Sequence, residues 1–236
     1  MKKLHSTLLI VLAFILCGDA LYAQKMTVKN LEKYDTQWIH FGFLLGINNA
    51  DFKVTRSDTL YKSDSALVVT PDGQTGFNLG IVTNLHLGNN FDLRFTPTLS
   101  FCQRNLNYQI IDGKKKQSEV IKIVESTFIQ FPLDLKFKSN RINNYRMYVT
   151  GGVAYLYDLV SQAKVTNDEQ IVKLKKSDYG YSIGFGFDFY MPLFKFSPEI
   201  KMFQGIPNTL AADPAVYTTS LSSLKTRLFS FTLTFE

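Results

Sequence analysis

Arg227-Leu228-Phe229-Ser230-Phe231-Thr232-Leu233-Thr234-Phe235-Glu236 carries a strict two-residue alternation. Phe229, Phe231, Leu233 and Phe235 fall on one side of an extended chain. Ser230, Thr232, Thr234 and Glu236 fall on the other. Alternation sustained over this length marks a β-strand with one apolar and one polar face. Seven upstream segments carry the same period, at residues 38–48, 75–88, 91–101, 120–138, 145–158, 178–189 and from 194 to 202. No stretch after Trp38 sustains a helical period. The chain therefore reads as all-β, with eight strands.

The connections alternate in length. Short ones lie at 88–90, 139–144 and 190–193, and long ones at 49–74, 112–119, 161–177 and 203–224. Long loops on one side and short turns on the other are the pattern of an eight-stranded antiparallel up-and-down transmembrane β-barrel. An even strand number puts both termini on the short-turn side, the periplasm, and the long loops outside the cell. Pro97, Pro132 and Pro198 interrupt strand readings, because each removes a ladder donor. They leave the local register open and suggest bulges or strand ends.

Alternation alone fits two barrels, one greasy outside in a membrane and one greasy inside around an apolar ligand. Residue size separates them. The polar rows are rich in small residues, among them Gly42, Gly46, Gly80, Ser100, Gly152, Ala154, Gly184 and Gly186. An eight-stranded interior is just wide enough for side chains to fill, so small residues belong inside and the aromatic rows belong in lipid. Tyr145, Tyr155, Tyr157, Tyr179, Tyr181 and Tyr190 lie toward strand ends and read as an interfacial girdle. The polar rows also hold Asp92, Arg94, Asp134, Lys136, Arg146, Asp158, Asp188, Lys195, Glu199 and Lys201. Both signs are present, which predicts a plug of salt bridges. The alternative is a selective path, and eight strands disfavour it because open channels belong to larger barrels.

Residues 1–23 read as a secretory signal, with Lys2 and Lys3 before the apolar run from Leu8 to Leu16 and a cut after Ala23. Cys17 allows a lipoprotein reading, although Phe14-Ile15-Leu16 lacks the small residues such a site favours. Removing the signal takes Lys2, Lys3 and Asp19, and the formal charge falls from +6 to +5. So mild an excess, on an exported chain, does not point to nucleic acid. Cys102 is then the remaining thiol, so no internal disulfide is available. Residues 24–37 show no strand pattern and read as a periplasmic lead-in, and residues 38–236 as the barrel.

No catalytic, cofactor-binding or metal-binding residues emerge. His40 and His86 fall on lumen rows, and two histidines without a cysteine cluster make no metal site. No phosphate loop or Gly-x-Ser-x-Gly elbow occurs. A Ser/His pair at the outer rim would suit an enzyme, but His86 sits by a short turn at the opposite end.

Several segments carry a family resemblance. They are His40-Phe41-Gly42-Phe43-Leu44-Leu45-Gly46-Ile47-Asn48, Asp51-Phe52-Lys53 and Gly76-Phe77-Asn78-Leu79-Gly80-Ile81-Val82. Asn90-Phe91-Asp92-Leu93-Arg94-Phe95-Thr96-Pro97, Phe131-Pro132-Leu133, Ser197-Pro198-Glu199-Ile200-Lys201 and Ser222-Ser223-Leu224-Lys225 continue it up to the terminal strand. With these the chain resembles the PorT family of outer-membrane β-barrels, associated with the type IX secretion system. The resemblance implies a non-enzymatic component that supports export or maturation of secreted proteases and adhesins. It implies other secretion proteins as partners, and no cofactor. From the residues alone, a surface barrel binding an extracellular partner through its long loops stays open.

Overall fold

Period-two alternation with β-branched and aromatic residues on one face favours strands, and most of the described residues form them. A computed structural model describes residues 28–56, 66–111, 117–160, 174–211 and 221–236. The expected signal at 1–23, the start of the lead-in and the tips of the long loops lie outside the described residues. Among the described residues nine strand segments succeed one another: β1 (Ile39–Arg56), β2 (Ala66–His86), β3 (Phe91–Phe95), β4 (Thr98–Ile111), β5 (Gln117–Lys138), β6 (Tyr145–Asp158), β7 (Ser177–Tyr190), β8 (Lys195–Gly205) and β9 (Leu221–Phe235). All pairings are antiparallel between chain neighbours, and β1 pairs with both β2 and β9, so the sheet closes. Segments β3 and β4 lie end to end between β2 and β5 and form one stave. The barrel thus has the eight staves the sequence predicts.

The prolines prove cheaper than expected. The third stave breaks at Thr96-Pro97, yet its register with both neighbours continues unchanged across the break. Pro132, on β5, cannot donate to the Thr96 carbonyl. The Thr98 hydroxyl donates to it instead, at 2.8 Å. Pro97 keeps its own acceptor role, taking the Ile81 N–H at 3.0 Å. Pro132 and Pro198 stay inside continuous strands. The register shifts lie elsewhere, between Thr55 and Arg56 of β1 opposite β9 and between Gly73 and Phe77 of β2, where a bulge inserts one extra residue opposite β4.

The outward rows are apolar and exposed, as in Phe41, Phe43, Leu45 and Ile47 on β1 and Phe131, Leu133, Leu135 and Phe137 on β5. At ~3.3 Å per residue and a tilt of roughly 40°, the run from Ile129 to Phe137 spans roughly 20 Å along the barrel axis, near the height of a lipid band. Polar outward residues end it: Asn49, Thr75, Gln103, Thr127, Gln204 and Arg227.

Beyond that belt the strands continue, which corrects the loop boundaries. Residues 49–56 and 66–74 belong to β1 and β2, β4 runs on to Ile111, β5 starts at Gln117 and β9 at Leu221. In this extension the interior turns apolar. Phe52, Val69, Leu106, Tyr108, Leu174, Leu221 and Leu224 form a buried cluster inside. Below it Cys102, Phe128, Leu156, Phe203 and Leu228 fill the interior where the belt ends, level with the outward Gln103, Thr127, Gln204 and Arg227. The two barrels weighed from sequence therefore coexist at different heights. Where lipid surrounds the wall, the grease faces out; where water surrounds it, burial drives the grease in.

Candidate functional site: the charged lumen and its cap

The inward rows place ionisable side chains from facing staves within reach of one another, and they pair across the interior. Arg94 of β3 donates to Glu199 of β8 at 2.7 Å. Lys136 of β5 donates to both carboxylate oxygens of Asp188 on β7, each at 2.8 Å. Lys201 bridges Asp134 at 2.6 Å and Glu199 at 3.1 Å. Ser182 and Ser197 donate to Asp134 and Asp188. The Tyr148 ring stands at the centre: Lys136 Nζ lies 3.7 Å from its centroid and its hydroxyl donates to Glu199 at 2.9 Å. Gly186 is small for this reason, since a Cβ there would come within 2.5 Å of the Tyr148 ring.

Burial makes these pairs interdependent. Each charge has left water, and only its partners offset that cost. Nearly all expected lumen charges join the network or its neighbour, a cluster in which Asp92 takes Lys138 at 2.6 Å and His86 at 2.8 Å. Asp158 stands apart and accepts the Val160 N–H at the end of β6. His40 and His86 are not brought together, because His40 stacks on Tyr34 with centroids 3.7 Å apart.

The lead-in supplies a part that sequence reading missed. Tyr34–Thr36 forms a turn of 3₁₀ helix that closes the short-turn mouth. The Tyr34 hydroxyl donates to Glu236 at 2.6 Å and receives Lys195 at 2.7 Å. Asp35 bonds Arg146 of β6 and pairs with Arg141 at 3.4 Å. Arg141 comes from the β5–β6 turn, where Asn143 takes a left-handed φ of 53°, and its guanidinium lies 3.7 Å from the Tyr190 ring centroid. The Asn30 N–H donates to the Asn144 side chain at 2.8 Å, and the Asn30 amide to the Tyr190 carbonyl. Burial works to raise the Asp35 carboxyl pKa, but Arg146 and Arg141 overcome it and hold the group below its ordinary value.

One aromatic expectation changes. Tyr190 points inward, because it is one residue out of phase with Phe189, and it serves the cap rather than a girdle. Tyr155, Tyr157, Tyr179 and Tyr181 do face outward at the long-loop end of β6 and β7, where Tyr155 and Tyr179 are cross-strand partners. Arg104 was also missed. It lies inward on β4, beyond the third strand as read from sequence, with its guanidinium 4.2 Å from the Phe52 ring centroid. A depression of ≈ 310 Å³ opens on the outer face at the belt, lined by Phe77, Phe101, Gln103, Glu125, Thr127 and Val160 among others.

A family model described as an outer membrane protein beta-barrel domain matches residues 22–211. No curated protein matches the chain. Among solved structures it is similar to the outer membrane protein OprG from Pseudomonas aeruginosa, with 13% identity over 84% of this chain and 91% of that one, and a TM-score of 0.40. It is similar to the attachment invasion locus protein Ail of Yersinia pestis, solved with the heparin analogue sucrose octasulfate, with 11% identity over 84% and 98%, and a TM-score of 0.39. The N-terminal barrel domain of Pseudomonas aeruginosa OprF shows 11% identity over 81% and 96%, with a TM-score of 0.35.

Proposed function

The chain belongs to the outer membrane protein beta-barrel domain family and resides in the outer membrane, and from that premise we propose that it is a non-enzymatic accessory component of type IX secretion. It supports export or maturation of secreted proteases and adhesins without being their conduit. The observation that carries this reading is the filled lumen. Arg94–Glu199 and Lys136–Asp188 cross the interior, and Tyr34 and Asp35 close one mouth. Folded cargo needs a passage that an eight-stranded wall does not provide. The segments that resemble the PorT family supply the particular machinery. In this orientation the capped mouth faces the periplasm and the extension stands outside the cell. Deleting the gene and comparing secreted with periplasmic proteins tests the role. Cargo precursors retained in the periplasm are expected, and normal secretion overturns it.

The extension favours a second reading, a surface barrel that binds an extracellular partner. Its apolar core stands clear of the lipid band. Loop deletions that abolish partner binding while sparing secretion would select it.

A further inference from the structure

The short turns of the wall are not alike. One connection, residues 87–90, ends in Gly88-Asn89-Asn90, and another, residues 139–144, reads Ser-Asn-Arg-Ile-Asn-Asn. The turn between β7 and β8 is Met191-Pro192-Leu193-Phe194. It carries no polar side chain, yet all four residues are exposed, Leu193 at 89%. A contiguous apolar patch on an outer surface marks a contact with protein or with membrane.

Two observations select the membrane. The turn is continuous with the lipid-facing wall. Phe187, Phe189 and Met191 carry the outward row of β7 into it, and Phe194 and Phe196 carry that row out along β8. The Phe194 ring centroid lies 6.0 Å from that of Phe235, which lies 4.9 Å from that of Phe43 in the exposed row of β1. Tyr190 and Lys195, the polar residues on either side, are buried in the lumen. The outer surface therefore stays apolar from Phe187 through the turn to Phe196.

The backbone agrees. Hydrocarbon offers no water to an open N–H, so a lipid-immersed turn must satisfy its own donors. The Met191 N–H donates to the Phe194 carbonyl at 2.9 Å, and Pro192 has no N–H. The flanking Tyr190 and Lys195 N–H groups donate to the Asn144 and Glu236 carbonyls at 2.8 and 2.6 Å. Asn89 and Asn140, in the other two turns, expose amide side chains that belong in water.

We propose that the β7–β8 turn is immersed in lipid, at the boundary between acyl chains and headgroups of the leaflet on the short-turn side. The other two turns stand in water. The membrane edge then crosses the barrel obliquely and lies deeper over β7 and β8. The inference goes beyond the secretion reading and stands without it, because its test uses the purified protein.

The experiment places one nitroxide at a time on the full chain in phosphatidylcholine vesicles, with Cys17→Ser and Cys102→Ser as background. The labelled variants are Leu193→Cys, Asn89→Cys, Asn140→Cys and, in the middle of the belt, Leu133→Cys. Collisions with oxygen, which concentrates in hydrocarbon, are compared with collisions with a nickel chelate kept in the water on both sides. The oxygen-to-nickel ratio at position 193 should approach that at 133 and exceed those at 89 and 140 by roughly tenfold. Nickel access at 193 equal to that at 89 and 140 overturns the proposal, because the turn then stands in water. Poor access of both reagents at 193 also overturns it, because protein then covers the turn, whether from this chain or from a second copy.

Discussion

Replacing Lys136 with Met should be among the most damaging single changes in the lumen. Met retains most of the unbranched stem and removes the charge. Lys136 is 0% exposed, and Asp188, which takes it on both oxygens at 2.8 Å, is 1% exposed. After Lys136→Met the carboxylate keeps the Ser197 hydroxyl at 2.7 Å and two cations, Lys195 and Arg146, each at 4.0 Å. Removing one partner of a buried pair costs roughly 3–5 kcal/mol. A charge at 4 Å still contributes a few kcal/mol at an effective dielectric of about 20. Both remaining cations are shared with Glu236 or Asp35. Partial compensation therefore puts the expected cost near the lower end, about 3 kcal/mol. Adding Asp188→Asn removes the uncompensated charge, so the double variant should recover about 2 kcal/mol of the summed single costs. The assay is denaturant unfolding of the folded barrel in detergent micelles, tracked by emission of Trp38, the single tryptophan. A cost below about 1 kcal/mol for Lys136→Met, or additive single costs, would refute the claim that this pair is buried and mutually dependent.

The same geometry has other consequences. Leu45→Arg places a charge on the outward row of β1 and should cost roughly 2–4 kcal/mol in bilayer-folded protein; an unchanged unfolding midpoint would mean that this face does not meet lipid. Thr98→Val strands the Thr96 carbonyl beside Pro132 and should cost roughly 1–3 kcal/mol, read by the same unfolding assay. Asp35→Asn removes the charge facing Arg146 and Arg141, and because the Asp35 side chain is 38% exposed the loss should stay below about 1 kcal/mol. With its pKa held below the ordinary value, Asp35 stabilises the cap fully above an unfolded pKa of about 3.9. That contribution is lost as pH falls through the lowered folded value. Exchange of the amides at 30–36 should thus accelerate in Asp35→Asn at pH 7, and the difference from the parent should vanish at the acid end.

Much of the barrel is legible in the sequence because strand period and side-chain direction are the same fact. The rows Phe229–Phe235 and Ile129–Phe137 identify a face without any knowledge of neighbours. The inward charges come from the same parity, and Tyr190 is misplaced only when its position near a strand end is set above its phase. The upper wall is harder to read. The bulge between Gly73 and Phe77 switches the inward row of β2 from odd to even residues, so residues 66–74 carry no continuous alternation with residues 77–86. The lead-in is opaque for a different reason. Tyr34 and Asp35 have no periodic pattern, and their partners, Glu236, Lys195 and Arg146, lie more than a hundred residues away.

A closed all-β wall, eight staves and an inward set of charges are readable from the residues alone, because local alternation and chain-neighbour pairing specify all three. Which charges meet, how the lead-in seals one mouth, and where the wall leaves lipid and turns its grease inward emerge only in the folded barrel. Those outcomes depend on which staves face one another across the interior. That distance exists only after the sheet has closed.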